Sequence, residues 1–93
     1  MKFRYTGRAR TEIELAFSWY ERQRPGLGLE FLGCVEVSIA NILDFLKSYQ
    51  IVYANFRRCV IRRFPFSIIF SIETGEIVVY AVFDNRQDPK NLP

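Results

Sequence analysis

Two arginine doublets are the residues of this chain whose type and spacing could act on an anion. Arg57-Arg58 and Arg62-Arg63 flank three apolar residues, and the segment around them reads as a β-strand. Strand side chains alternate between faces, so Arg58 and Arg62 fall on one face and Arg57 and Arg63 on the other. We expect Arg58 and Arg62 to project together from an exposed face and to bind nucleic-acid phosphate or an acidic protein segment. The alternative is that the arginines only keep the edges of an apolar strand soluble.

Acid–base chemistry and metal chemistry have few candidate residues in this sequence. The chain contains no histidine, which removes the usual general base near neutral pH and the commonest metal ligand. Its two cysteines, Cys34 and Cys59, lie in apolar runs and are expected to be buried free thiols rather than a disulfide. Tyr80 is a candidate proton donor, with packing in the core or at its rim as the alternative role. The sequence therefore predicts no metal site and no cofactor.

Length and composition indicate one mildly basic domain. The chain has 93 residues, which suits a single hydrophobic core, so residues 1–93 are expected to form one domain. Thirteen basic and ten acidic residues give a formal charge of +3, so binding to a polyanion must come from clustered arginines rather than from bulk charge. No apolar signal segment begins the chain and no stretch is long enough to cross a membrane, so we expect a cytoplasmic protein.

Two helices are predicted in the first half of the chain, after a short strand at 2–6. The first runs over about 9–24 and the second over about 29–47. The short Pro-Gly-Leu-Gly connection between them makes them antiparallel neighbours. Leu15 and Trp19 are expected to widen the buried apolar stripe of the first helix.

The second predicted helix has apolar residues on two faces. Leu29, Gly33 and Val37 recur at intervals of four residues and therefore share a face that a fully solvated helix would not need. We interpret this face as a binding surface for a partner protein, and incidental composition is the alternative.

Three strands are predicted in the second half of the chain, at 56–61, 66–73 and 76–83. They follow a connector at 48–55. Thr74-Gly75 supplies a tight turn between the last two strands, which makes those strands an antiparallel hairpin.

The element order β-α-α-β-β-β predicts an α+β fold in which a helical hairpin packs on one face of a small antiparallel sheet. The opposite face of the sheet would then be open to solvent or to a partner. By strand alternation that open face would carry Arg58, Arg62, Ser67 and Ser71. One exposed sheet edge would also be free to accept a strand from another protein.

Several of these segments resemble the RelE/ParE toxins of bacterial type II toxin–antitoxin (plasmid stabilisation) systems, and the resemblance covers nearly the whole chain. Ala16–Glu21 and Gln23–Gly28 are similar to the family's tryptophan-tyrosine helix and to its RPGLG-like hairpin. The first arginine doublet and Arg62–Ile68 are similar to the strand pair of ParE-like members, and Val82–Pro89 is similar to the family's usual ending.

The resemblance implies one of two actions. RelE-like members cut mRNA in the ribosomal A site, whereas ParE-like members poison DNA gyrase and are not known as nucleases. Ser67 follows Phe66 at the position where the cutting enzymes have a strand arginine. The tail histidine of the family is replaced by Asp84 or Asn85. Both departures favour the ParE-like branch.

RNA cleavage by the 2′-hydroxyl also needs groups that exchange protons, in addition to positive charge. The candidates for such a catalytic role are Arg58, Arg62, Arg86 and Tyr80. The arginines among them could stabilise charge, but a guanidinium does not readily lose its proton.

The sequence thus predicts the toxin of a type II toxin–antitoxin module, which inhibits growth by interfering with DNA gyrase and is neutralised by a cognate antitoxin. The residues expected to bind its target are Arg57, Arg58, Arg62, Arg63, Ser67 and Arg86. The antitoxin would bind at Leu29, Gly33 and Val37, and a dimer or a higher toxin–antitoxin assembly is compatible with the family. One alternative is a ribosome-dependent mRNA endonuclease. The other is an inactive family member that only binds its antitoxin.

Overall fold

Seven helices and strands and two short 3-10 helices make up the fold of the computed structural model, which describes residues 1–93. Their bounds are β1 Lys2–Tyr5, α1 Gly7–Gln23, α2 Leu27–Asp44, β2 Ile51–Tyr53, β3 Phe56–Val60, β4 Phe66–Glu73 and β5 Glu76–Asp84. The 3-10 helices lie at Leu46–Ser48 and Pro89–Asn91. The predicted α+β class, with a helical hairpin on a sheet, is confirmed. No helix combines the length and the apolar character needed to cross a membrane.

Side-chain caps set where the two helices begin. The Thr6 hydroxyl accepts a hydrogen bond from the Ala9 amide at 3.1 Å, so α1 starts two residues before the predicted position. The Glu21 carboxylate accepts from the Gly26 amide at 3.0 Å and from the Gly28 amide at 2.9 Å. A carboxylate at this end of α2 also complements the helix dipole. Glu21 therefore ties the end of α1 to the start of α2.

The sheet has the order β1-β5-β4-β3-β2, and it contains one parallel pair. β1 lies parallel to β5, whereas the remaining neighbours are antiparallel, so the expectation of a wholly antiparallel sheet is wrong at this edge. The α1–α2 hairpin carries the chain away from β1, and β5 returns beside it in the same direction. The edge strand β2 lies inside the predicted connector. It has only three residues and reaches β3 through a turn in which Ala54 has a φ of 49°.

The main core lies between the helical hairpin and one face of the sheet. Tyr20 of α1 and Phe31 of α2 meet Phe64 and Phe66 with ring centroids 4.8 to 6.2 Å apart. These mostly edge-to-face contacts are the favourable geometry for aromatic rings.

The expectation that Leu15 and Trp19 widen this core is wrong. Leu15 is 66% exposed and Trp19 is 47% exposed. Each precedes a buried residue of α1, Ala16 or Tyr20, and one position along a helix turns a side chain by about 100°. The buried stripe of α1 is therefore narrower than its apolar composition predicts.

The second face of the sheet is partly covered, which corrects the expectation of an open face. Ile69, Ala81 and Phe83 form a small buried cluster there, and Phe56 and Leu92 pack against it. Leu92 belongs to the C-terminal segment. That segment is also attached to α1 by a hydrogen bond from the Arg8 guanidinium to the Asn91 carbonyl.

Candidate functional site

Arg58 is held in a polar network on the second face of the sheet. Its Nε donates to the Ser67 hydroxyl at 2.9 Å, and its Nη2 donates to Asn85 Oδ1 at 2.7 Å. The Ser67 hydroxyl also donates to Asn85 Oδ1, at 2.7 Å. The structure confirms that Arg58 and Ser67 share a face, but Ser67 is fully buried rather than exposed.

Ser71 is the second serine predicted to be exposed on this face, and it too is buried, with 1% of its surface accessible. Its hydroxyl donates to Glu73 Oε2 at 2.7 Å. Both serines thus satisfy their hydroxyls within the sheet, as buried polar groups must. Neither is placed to contact a target directly.

Arg62 does not join Arg58 on this face, so the predicted pair is wrong. β3 ends at Val60, Ile61 turns into the core, and Arg63 has a left-handed φ of 74°. Strand alternation therefore stops before Arg62. Arg62 instead lines a groove between α2 and the free edge of β3.

The other two arginines of the doublets hold structural elements together. Arg57 donates from Nη1 to the carbonyl of Tyr49 at 2.9 Å, which fixes the segment that precedes β2. Arg63 pairs with Glu30 of α2 at 2.7 Å, and Glu30 also pairs with Arg24 at 2.9 Å. These hydrogen bonds, that of Arg63 first, hold the pKa of Glu30 below its usual value. Much of the arginine clustering therefore serves the connection between sheet and helices.

Arg86, the remaining residue expected to bind a target, lies away from the Arg58 network and next to α1, so the two arginines do not share a face. Its Nε and Nη2 donate to the two oxygens of Asp84 at 2.9 and 2.8 Å, and its amide donates to Oδ1 at 2.9 Å. The Arg86 side chain holds the pKa of the Asp84 carboxyl below its usual range. Arg86 borders a cleft that also contains Trp19 and Tyr20.

Tyr80, the candidate proton donor, is bound to a carboxylate. It is the extra residue of a β-bulge in β5 and lies edge-on to Phe56, with centroids 4.9 Å apart. Its hydroxyl donates to Glu73 Oε2 at 2.5 Å. This hydrogen bond raises the pKa of the Tyr80 hydroxyl and lowers the pKa of Glu73. The phenol is therefore held in its protonated form.

Two residues of these networks were not predicted as site residues. Asn85 completes the Arg58 network. The sequence indicates it only as one of two residues that replace the family's tail histidine. Glu73 binds Tyr80 across the β4–β5 hairpin. The hairpin register pairs Glu73 with Glu76 and not with Tyr80, so regular strand pairing does not predict this contact. Tyr80 is the unpaired residue of the β-bulge, and the sequence pattern does not indicate that bulge.

The predicted partner surface on α2 is exposed. Leu29 is 65% exposed, Val37 is 58% exposed, and a Cβ added to Gly33 would meet no atom within 4 Å. Val37 also borders the groove between α2 and the edge of β3, which has a volume of about 410 Å³. On the opposite wall of that groove Val60 is 62% exposed. We refer to Leu29, Gly33, Val37 and Val60 together as the α2–β3 surface.

Both cysteines also border the α2–β3 groove and are free thiols, as predicted. Cys59 is buried as expected, and this burial raises the pKa of its thiol. Cys34 is only half-buried, so the expectation of burial is wrong for it. No three His, Cys, Asp or Glu side chains lie close enough together to hold a metal ion.

Comparison with known proteins agrees with this architecture. The family model of the ParE toxin of the type II toxin–antitoxin system, parDE, matches residues 3–89. A solved structure described as the chromosomal ParDE toxin–antitoxin system from P. aeruginosa has the same fold, with a TM-score of 0.78 and 16% sequence identity. The alignment covers 90% of this chain and 95% of that one. A sequence search of curated proteins finds no match. Because the family model spans nearly the whole chain, the protein belongs to the ParE toxin family of type II toxin–antitoxin systems.

Proposed function

We propose that this ParE-family protein arrests growth by acting on DNA gyrase, and that it does not cut RNA. The observation that carries the proposal is the composition of the Arg58 network. Two nitrogens of Arg58 are occupied by Ser67 and Asn85, and none of the three side chains exchanges protons near neutral pH. A network of this kind can present charge, but it cannot supply the proton transfers of RNA cleavage.

The other polar cluster on the same face does not supply them readily either. Tyr80 is a poor proton acceptor or donor near neutral pH because its hydrogen bond to Glu73 raises its pKa. Glu73 has a lowered pKa, so it is ionised and cannot donate a proton at neutral pH. Ribosome-dependent mRNA cleavage is the outcome that would refute the proposal.

Arg58 retains one group for a target. Its Nη1 makes no hydrogen bond within the protein, whereas Nε and Nη2 are both engaged. A guanidinium fixed through two nitrogens loses little freedom when the third binds an acidic loop. We propose that Arg58 contacts an acidic segment of the target, with Ser67 and Asn85 holding it in position.

We further propose that the antitoxin binds the α2–β3 surface. Leu29 and Val37 supply exposed apolar contacts, and β2 pairs with β3 only near Phe56 and Arg57, so the edge of β3 at Val60 remains free. A free edge accepts an added strand, and an apolar helix face accepts a helix. Arg62 borders the same groove, so acidic residues are expected in the bound segment.

Induced expression in bacteria tests the proposed action. Cells that express the wild-type protein should stop dividing and activate a DNA-damage reporter while protein synthesis continues, and co-expression of the adjacent antitoxin gene should restore growth. Arg58→Ala should lose this effect at a growth temperature at which circular dichroism shows the purified variant to be folded. Arg10→Ala, an exposed arginine on α1, is the control for the loss of one positive charge. Immediate arrest of translation without the DNA-damage signal would contradict gyrase as the target.

A second experiment tests the antitoxin surface. Val37→Glu places a charge at a site that is 58% exposed, so it should leave folding and toxicity intact. Its affinity for the antitoxin should fall by about tenfold or more, since truncating or charging an interface anchor costs at least 1 to 2 kcal/mol. Glu36→Gln, at the neighbouring exposed position of α2, is the control. Unchanged affinity of the Val37 variant would show that the antitoxin binds elsewhere.

A further inference from the structure

The hairpin formed by β2 and β3 presents an exposed tyrosine beside the Arg58 network. Tyr53 of β2 pairs with Phe56, and directly paired residues of antiparallel strands point to the same face of a sheet. Phe56 packs on the small cluster of the second face, so Tyr53 lies on that face too. Arg58 is two positions further along β3 and shares the face, about 7 Å along the strand from Phe56. We refer to Tyr53, Phe56 and Arg58 together as the hairpin patch.

Aromatic contacts order the Tyr53 ring although most of it is exposed. The ring is stacked on that of Phe56, with an interplanar angle of 10° and centroids 6.4 Å apart. Phe56 is in turn held edge-on against Tyr80. Tyr53 is nevertheless 69% exposed, more than any other large apolar or aromatic side chain of the protein. The outer face of an ordered ring is therefore open to a partner, which would lose little conformational freedom of this side chain on binding.

Arg58 brings to the hairpin patch a charge that no carboxylate of the protein neutralises. Its hydrogen-bond partners, Ser67 and Asn85, are uncharged, and it takes part in none of the ion pairs. Glu73 lies on the same face, but it already pairs with Arg4 and accepts two hydrogen bonds. A half-buried guanidinium without a counter-ion favours an anionic partner, because part of its hydration is already lost.

We propose that the hairpin patch binds the target protein, with an acidic side chain of the target on Arg58 and a neighbouring apolar side chain on the outer face of Tyr53. This inference rests on the proposed function, which assigns a target contact to Arg58, and it adds Tyr53 as a second anchor. Tyrosine and arginine are enriched among the contacts that dominate protein interfaces. Nucleic acid fits less well, because its binding depends on several phosphate contacts and the patch has one guanidinium.

Removal of the Tyr53 ring tests the hairpin patch with little effect on the fold. Tyr53→Ala truncates an exposed side chain, so its circular dichroism and its affinity for the antitoxin should match those of the wild type. The protein concentration that half-inhibits DNA supercoiling by gyrase should rise about tenfold or more, as expected for the loss of an interface anchor. Tyr53→Phe keeps the ring and should stay within about threefold of the wild type.

Ile51→Ala is the matched control. Ile51 lies in the same strand and is 51% exposed, but it pairs with Arg57, whose side chain points away from the hairpin patch. The Ile51 variant should therefore inhibit gyrase as the wild type does. If Tyr53→Ala and Ile51→Ala inhibit equally well, the patch proposal is overturned while gyrase remains the target.

The charge of the bound segment is tested at Asn55, an exposed residue of the turn next to Phe56. An acidic segment should bind several-fold more tightly to Asn55→Lys and several-fold more weakly to Asn55→Asp, and high salt should reduce the difference. Equal or reversed affinities would overturn the acidic assignment. Binding of a single-stranded oligonucleotide that Tyr53→Ala abolishes would overturn it as well.

Growth arrest separates this proposal from the identity of the target. At equal expression, Tyr53→Ala should lose the arrest that Ile51→Ala retains, whichever protein is bound. That result together with unaffected supercoiling would support the hairpin patch and refute gyrase as the target. Arrest by Tyr53→Ala at the wild-type level would overturn the patch, and a wild-type protein that does not arrest growth would overturn both proposals.

Discussion

Replacing Arg58 with alanine should destabilise the protein far more than the same change at Arg62. Both are arginines of one basic segment, so charge or composition alone would predict the same loss of stability for both substitutions. The structure predicts different losses. Arg58 is half-buried and donates hydrogen bonds to Ser67 and Asn85 at 2.9 and 2.7 Å, whereas Arg62 is exposed and lies in no ion pair. The two substitutions therefore form a matched pair.

The expected magnitude follows from the two hydrogen bonds that Arg58→Ala removes. A hydrogen bond that involves a charged group contributes about 1.5 to 3 kcal/mol, and the low end applies to a half-buried guanidinium. Ser67 and Asn85 still bond to each other, which limits the loss. We expect about 2 to 3 kcal/mol for Arg58→Ala and at most about 0.5 kcal/mol for Arg62→Ala. For a domain of this size, Arg58→Ala should lower the Tm by roughly 10 to 20 °C.

Urea unfolding followed by circular dichroism measures both variants on the same scale. Arg58→Lys distinguishes geometry from charge, since lysine keeps the charge but lacks the rigid fork of donors. It should recover only part of the lost stability. Should the alanine variants of Arg58 and Arg62 agree within about 0.5 kcal/mol, the network would be energetically neutral and the positioning role of Ser67 and Asn85 would be refuted.

Three further outcomes are expected. Gly28→Ala should cost about 2 kcal/mol or more, because its Cβ would lie 2.8 Å from Phe17, whereas Gly33→Ala meets nothing within 4 Å and should stabilise α2 by up to about 1 kcal/mol; urea unfolding decides both. Ser67→Arg should fail to fold stably, as shown by circular dichroism, since it would bury a second guanidinium beside Arg58 at a fully buried site. Asp84 has a depressed pKa, so its ionised form stabilises the fold above its usual value of 3.8, and this contribution disappears as the pH falls through the folded value. The stability difference between wild type and Asp84→Asn should thus be constant near neutral pH and shrink below about pH 4, measured by unfolding in urea at each pH.

The helical hairpin and the β4–β5 hairpin could be predicted from sequence because local signals define them. β4 has the predicted bounds, Phe66–Glu73, and the turn at Gly75 has a φ of 72°, which glycine adopts without strain. The contacts that set the site are not local. The parallel β1–β5 pair joins the two ends of the chain, and no short-range pattern distinguishes a parallel edge from an antiparallel one.

The arginine site was only partly predictable for a related reason. Strand alternation correctly predicts Arg58 beside Ser67, but it does not apply to Arg62, because β3 ends two residues earlier at Val60. The covering of the second face depends on Leu92, a residue far from β4 in sequence, and it appears only when the C-terminal segment is folded. The sequence shows that Leu15 and Trp19 are apolar, but it does not show whether their side chains point to the core or to solvent. The packing of α1 against the sheet determines this, and both side chains are exposed.

The most direct test of the central proposal is the effect of purified protein on DNA supercoiling by DNA gyrase, measured beside cleavage of ribosome-bound mRNA. We predict that the wild-type protein inhibits supercoiling, that the antitoxin reverses the inhibition, and that mRNA on the ribosome stays intact. Arg58→Ala should lose the inhibition while Arg10→Ala keeps it. Unaffected supercoiling together with cut mRNA would contradict the proposal and would assign proton transfer to the Tyr80–Glu73 pair.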